Sequence, residues 1–244
     1  MELKYHEILY RHELYHWWYR VRRELIHDVL SNYVGKRSDL HLADVGCGTG
    51  ALSTELERYG QYVGIDMSPQ AVEFCKSRGA RDVRIGTAEA TGCTSNTFDV
   101  VTCLDVLEHI PDDTKGIAEI HRILKLGGIA IIFVPTFMFL WGATDKISHH
   151  HRRYRLPELV KKFEAEGFTI LRQSYFNTLL FPAIAFMRIG VRLLHIQMES
   201  DMITGSGMLN TVLYKIFTLE RRLLRHINFP FGVSGMLVAR KKSE

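Results

Sequence analysis

Asp44, Gly46, Gly48, Gly50 and Asp66 have the types and spacing to hold a small charged molecule. Glycine lets a backbone bend sharply and lets a ligand approach it closely. Gly46-x-Gly48-x-x-Ala51, with an acidic residue about 20 positions on, satisfies the degenerate dinucleotide spacing. The choice of ligand therefore rests on Asp44, two residues before the first glycine. Its carboxylate repels a pyrophosphate and holds a ligand that carries an ammonium group.

Two further groups can do chemistry. Asp105, Glu108 and His109 stand at i, i+3 and i+4, so they share one face if the segment is helical. Carboxylate oxygens suit a hard divalent cation, but the expectation adopted is that these residues line a pocket without metal. The second group lies in FMFLWGATDKISHHHRRYR, residues 137–155. Three consecutive histidines match no zinc spacing. Histidine titrates near neutrality, so His149 or His150 suits a general base, with His109 and Tyr154 as further candidates. Arg152, Arg153 and Arg155 can bind a phosphate or carboxylate, and Trp141 can contact an acceptor. A solvated basic loop is the plainer alternative.

The elements that must position these groups alternate between strand and helix. Leu40 to Val45 reads as a strand, Ala51 to Tyr59 as a helix, and a second strand ends on Asp66. Ser68 caps a helix with Pro69 in its first turn. Val83 to Ile85, Phe98 to Leu104 and Ile129 to Pro135 read as strands, with a helix from Asp113 to Leu124. The apolar run at 98–104 is that of a strand buried on both faces. The alternation predicts a parallel doubly wound sheet. A helix from Pro157 to Gly167, a strand from Phe168 to Tyr175 and a last strand, Val233 to Ala239, complete it. That last strand is expected to run antiparallel at the sheet edge.

ADVGCGTG, GIDMSP at 64–69, FDVVTCLDVLEHIPD at 98–112 and LKLGGIAIIFVP at 124–135 resemble class I S-adenosylmethionine-dependent methyltransferases. The resemblance covers roughly residues 39–173 and is closest to the group containing the ubiquinone-biosynthesis O-methyltransferases. It implies a Rossmann-like α/β fold, with S-adenosyl-L-methionine as cofactor. It implies that Asp44, Gly46, Cys47, Gly48 and Gly50 line the methionine part and that Asp66 grips the ribose hydroxyls. Met67, Ala88, Leu104 and Asp105 are further cofactor candidates. Thr87 stands where relatives usually carry an Asp for the adenine amino group, and Glu89 could substitute. In the ubiquinone-pathway group a similar acidic-x-x-Glu-His can hold a divalent cation. Nothing resembles an NPPY-type motif for nucleic-acid amines, so no nucleic-acid partner is expected.

Residues 2–33 read as one or two helices with apolar residues at helical spacing, Leu14, Trp17, Trp18, Val21, Leu25 and Val29. HWWYRVRR can supply an aromatic lid, with Trp17 toward the acceptor and Arg20 or Arg23 toward a carboxylate, or it can simply dock on the sheet. Residues 178–196 and 208–227 read as amphipathic helices, with Arg188, Arg192 and His195 on one stripe and Lys215, Arg221, Arg222 and Arg225 on the other segment. They fit core packing, a homodimer contact or an anionic membrane surface. The expected organisation is a lid at 1–36, an α/β domain at 37–175 and 228–244, and a helical insertion at 176–227.

With 244 residues, 46% hydrophobic and 24% charged, the chain can bury a sizeable core. From Phe176 onward 9 Lys and Arg face 4 Asp and Glu, against 22 and 23 before it, so the net charge of +4 arises in that part. Cys47, Cys75, Cys93 and Cys103 have no paired spacing and read as reduced thiols of a cytoplasmic protein, one that can sit peripherally on the inner face of a membrane. The expected reaction is O-methylation of a small or lipid-linked acceptor. A membrane-associated, non-catalytic cofactor sensor and a nicotinamide-dependent oxidoreductase are the competing classes.

Overall fold

The computed structural model describes residues 3–194 and 207–243. Two helices, α1 (Leu3–His12) and α2 (Trp17–Tyr33), precede the sheet. There follow β1 (Leu40–Val45), α3 (Ser53–Leu56), β2 (Gly60–Asp66), α4 (Pro69–Ser77), β3 (Val83–Ile85) and β4 (Phe98–Leu104). Next come α5 (Asp113–Ile123), β5 (Leu124–Pro135), α6 (Ala143–Ile147), α7 (Leu156–Ala165) and β6 (Phe168–Phe176). The chain closes with α8 (Phe181–Leu193), α9 (Gly207–Leu224) and β7 (Ser234–Lys241).

The seven strands lie in the order β3-β2-β1-β4-β5-β7-β6. β1 to β5 pair in parallel, and β7 is antiparallel to both neighbours. The final strand does not lie at the sheet edge, as the sequence suggested, but slots between β5 and β6. Its run from Ser234 to Ala239 is buried, which suits an inner strand better than an edge. Pro135 and Phe176 both pair with Ser234. The carboxyl ends of β5 and β6 therefore meet the start of β7 on one rim, where ligands of open α/β sheets bind.

Alternate residues of each strand enter two apolar layers. On one side Leu42, Phe133, Phe176 and Met236 pack with Val21, Leu25 and Phe217 from α2 and α9. On the other, Ala43, Val101, Ile132 and Leu237 pack with Ile117, Ile120, Leu159 and Phe163 from α5 and α7. Each fully buried side chain of this size contributes roughly 1.5–3 kcal/mol, and that burial fixes the register of the strands.

Trp18 stacks on Phe217 at 5.5 Å between centroids, and Trp17 meets the same ring edge-on at 5.9 Å. Arg221 pairs with Glu24 and Asp28, and Arg225 with Asp28. These two α9 arginines, expected on a basic stripe, are turned onto acids of α2, whereas Lys215 and Arg222 stay exposed. In α8, Arg188 donates to the Leu140 carbonyl and Arg192 to those of Phe139 and Trp141. The arginines of α8 thus face protein, and its exposed side is apolar: Phe186 is 82% and Leu193 72% exposed. His195 and most of the expected 200–207 linker lie outside the described residues. Among the described residues no helix is long and apolar enough to cross a membrane.

Candidate functional site

The glycine turn begins where β1 ends. Gly46 and Cys47 both donate their backbone N–H to the Ile65 carbonyl, at 2.7 and 3.0 Å. Gly48 donates to Asp66 Oδ2 at 2.9 Å, and Ser68 N to Asp66 Oδ1 at 2.9 Å. Gly46 has φ +78°, and a Cβ there would lie 2.2 Å from Val106 Cγ2. Gly48, at φ +54°, meets nothing within 4 Å, so the space beside it is open. The helix after the turn is shorter than expected. It starts at Ser53 and ends at Leu56, with one 3-10 turn from Glu57 to Tyr59 leading into β2.

Asp44 is 3% exposed and accepts from Thr102 Oγ1 at 2.6 Å. Burial pushes its carboxyl up to about 7, against the Thr102 bond and with Asp66 and Glu13 adding repulsion. It opens on a cleft of about 370 Å³ that also takes in Gly46, Cys47, Gly48, Leu104 and Asp105. The elbow between α1 and α2 walls the cleft with Glu13, and α2 with Trp17, Arg22 and Arg23. Arg23 is partly committed there, donating to the carbonyls of Glu13 and Leu14 and pairing with Glu55.

Asp66 and Met67 lie outside the cleft lining, as do Thr87, Ala88 and Glu89. Asp66 braces the turn with both oxygens, each of which retains a lone pair. Thr87 Oγ1 accepts from Ala90 N, and Glu89 is exposed.

The Asp105-to-His109 segment is not an α-helix. Asp105 has φ +56°, and Leu107–His109 forms a single 3-10 turn. Asp105 pairs with Arg22 and does not join Glu108 and His109 in one cluster, although its charge still acts on both. A different trio converges: Glu108, His109 and His150 bring one ligand atom each within 4.8 Å of one another. Glu108 is fully buried, and neither carboxylate oxygen has a hydrogen-bond partner among the described residues. Burial, reinforced by Asp105, pushes its carboxyl well up. This set could hold a divalent cation.

Of the consecutive histidines only His150 lines the cleft. Its ring meets that of His109 edge-on at 4.5 Å. His150 Nδ1 donates to Asp145 Oδ1 at 2.8 Å. Asp145 is fully buried, and although burial raises it, bonds from His150 and Arg153 hold its carboxyl well below the usual range. An ionised Asp145 can only accept, so Nδ1 carries a proton, and in the neutral ring the lone pair is on Nε2. Burial and the neighbouring His150 lower His109 to about 4, which makes it neutral at pH 7.

Four expected site residues are placed elsewhere. His149 has φ +54° and is exposed, because the turn after α6 swings it outward. The Tyr154 hydroxyl donates to Asp113 Oδ2 at 2.8 Å within the opposite apolar layer, where burial and that bond raise it. It cannot serve as a base. Arg152 donates to the Ile110 and Pro111 carbonyls and pairs with Asp113 at 3.1 Å. Trp141 does not line the cleft. Arg153 does line it, but its guanidinium is spent on Asp145 at 2.8 and 2.9 Å. Glu13 and Arg22 could not be assigned from the sequence because their partners Thr49, Arg78 and Asp105 are distant along the chain, and Asp145 because only the turn after α6 brings His150 and Arg153 back onto it.

Residues 43–132 match the family model of a methyltransferase domain. The resemblance read from the four motifs thus holds. A ubiquinone biosynthesis O-methyltransferase of Xanthomonas oryzae pv. oryzae is 37% identical over 113 residues, 42% of this chain and 47% of that one. The chain thus spans about half the length of this relative. The protein of the same name from Aeromonas salmonicida is 29% identical over 176 residues, 63% of this chain and 71% of that one. Among solved structures, phosphoethanolamine N-methyltransferase 2 of Haemonchus contortus in complex with S-adenosyl-L-methionine superposes with a TM-score of 0.60. It is 18% identical, covering 89% of this chain and 53% of that one, a likeness of fold alone.

Proposed function

We propose that this protein is an S-adenosylmethionine-dependent methyltransferase that methylates a hydroxyl oxygen of a small or lipid-linked acceptor. The observation that carries the reading is one cleft holding both a carboxylate-flanked glycine turn and an imidazole oriented by Asp145. The open space over Gly48 and the buried Asp44 fit a cofactor with a cationic amino-acid end, and Gly46, Cys47 and Gly48 would line it. When bound, S-adenosylmethionine supplies an electrophilic sulfonium methyl. The residues of this chain then mainly position the acceptor and exclude water. His150 Nε2 takes the hydroxyl proton, and the ionised Asp145 stabilises the imidazolium that results. The names of the curated relatives favour oxygen as the accepting atom. Transfer of labelled methyl from the cofactor into a cell extract, together with calorimetric binding of S-adenosylhomocysteine, tests the reading. Binding without any labelled product would favour a sensor, and binding of NADH alone an oxidoreductase.

The outer side of α8, with Phe186, Ile189 and Leu193, and the exposed Met208, Leu209 and Val212 of α9 favour contact with a lipid surface. Ile184 and Met187 of the same helix α8 line the cleft, so a lipid-linked acceptor would have a short path to it. Cosedimentation with anionic vesicles is expected, weaker at high salt and reduced several-fold by Phe186→Asp. A chain that ignores the vesicles but forms dimers through this face would replace the membrane with a second copy.

A further inference from the structure

We infer that Glu13, carried on the elbow between α1 and α2, is a cofactor-contact residue that joins Asp44 in forming the anionic end of the cleft; this rests on the proposed function. The elbow is strapped down across the glycine turn. Arg78 Nη2, just beyond α4, donates to the Tyr10 carbonyl at 2.6 Å, and the Tyr10 ring lies over that guanidinium at 4.4 Å. Tyr10 also packs on Phe74 at 4.9 Å, and Arg23 holds the Glu13 carbonyl from α2. The strap is therefore anchored by Tyr10 and by backbone carbonyls as well as by the Glu13 carboxylate.

That carboxylate points the other way, toward the turn. It accepts from the hydroxyl of Thr49, which sits between Gly48 and Gly50, and from Arg78 Nη2 at 3.2 Å. Both bonds fall on Oε2, and Oε1 accepts none among the described residues. The side chain is 12% exposed and lines the cleft with Asp44. Arg78 is a poor partner for it, since Nε and Nη1 of that guanidinium are buried without hydrogen bonds. A buried ion pair so incompletely satisfied adds little stability. Two carboxylates in one desolvated cleft also oppose each other, and burial already raises Glu13. A cation between them relieves both costs, and an ammonium or sulfonium group is such a cation.

Calorimetry on the full chain separates contact from strap. Glu13→Gln keeps the acceptor for Thr49 but removes the charge, whereas Arg78→Met loosens the strap, losing its bonds to Glu13 and to the Tyr10 carbonyl, but removes no charge that lines the cleft. Glu13→Gln is expected to weaken S-adenosylmethionine at least tenfold, with Arg78→Met within about threefold of wild type. Glu13→Gln within twofold of wild type, or equal losses in both variants, overturns the inference. In the unmutated protein, backbone amides of residues 9–16 should gain hydrogen-exchange protection on adding S-adenosylhomocysteine, and no gain also overturns it. Wild-type protein that binds neither compound defeats the proposed function itself.

Discussion

His150→Ala is expected to lower turnover by about 10² to 10³-fold while leaving S-adenosylhomocysteine affinity within about twofold. In the proposed reaction the sulfonium leaving group makes methyl transfer favourable, so the base would be needed only for the acceptor proton. That places the loss toward the lower end of general-base effects. The affinity is expected to hold because His150 stands with Glu108 and His109 rather than at the glycine turn. His149→Ala serves as the control, since that residue is exposed. Turnover in His150→Ala close to wild type would remove the residue from proton transfer. Wild-type activity silenced by a chelator and restored by magnesium would instead assign His150, Glu108 and His109 to a cation.

Asp44→Asn should weaken S-adenosylmethionine by about 10- to 100-fold at pH 8, corresponding to roughly 1.5–3 kcal/mol for a charge-assisted contact. Asn can still accept from Thr102 Oγ1, so the change is in charge rather than in shape. The same carboxyl sets a pH dependence, because burial raises it to about 7. Above that value Asp44 is anionic and would attract the proposed cationic ligand; below it the attraction would be lost. Wild-type affinity should therefore fall as pH drops from 8 to 6, by up to about tenfold per unit below the midpoint. In the ligand-free protein the sign is opposite. The folded value lies above the ordinary aspartate value of 3.8, so stability falls as pH rises between the two. A cationic ligand offsets that loss, and its thermal shift should be larger at pH 8 than at pH 6. A pH-independent affinity in the wild type, or an unchanged affinity in Asp44→Asn, would sink the assignment.

Elements set by local signals were legible early. The helix capped by Ser68 with Pro69 at its start lies where a side-chain cap and a fixed φ put it. The β4 strand is buried as its apolar run requires, and the turn at 46–50 has the positive φ values that only glycine adopts at low cost. Helical spacing alone does not place the segment after β4. Asp105, Glu108 and His109 share a face only on an α-helix, and the left-handed backbone at Asp105 breaks that geometry. By spacing alone the arginines of α8 and α9 fit core packing, a dimer contact or an anionic membrane surface. Arg221 and Arg225 instead find Asp28, more than 190 positions earlier, which no periodicity could show.

The sequence by itself determined the alternation of strands and helices, the glycine turn with its flanking acid and the resemblance to methyltransferases. Each of these is written in neighbouring residues, as period, cap or turn chemistry. Only the tertiary structure decided that β7 enters between β5 and β6, that His150 rather than His149 or Tyr154 faces the cleft, and that Asp145 orients it. It also decided that Glu13 is drawn in against Thr49. Those outcomes depend on which side of a packed layer a side chain falls, and on partners brought together by burial across long stretches of chain.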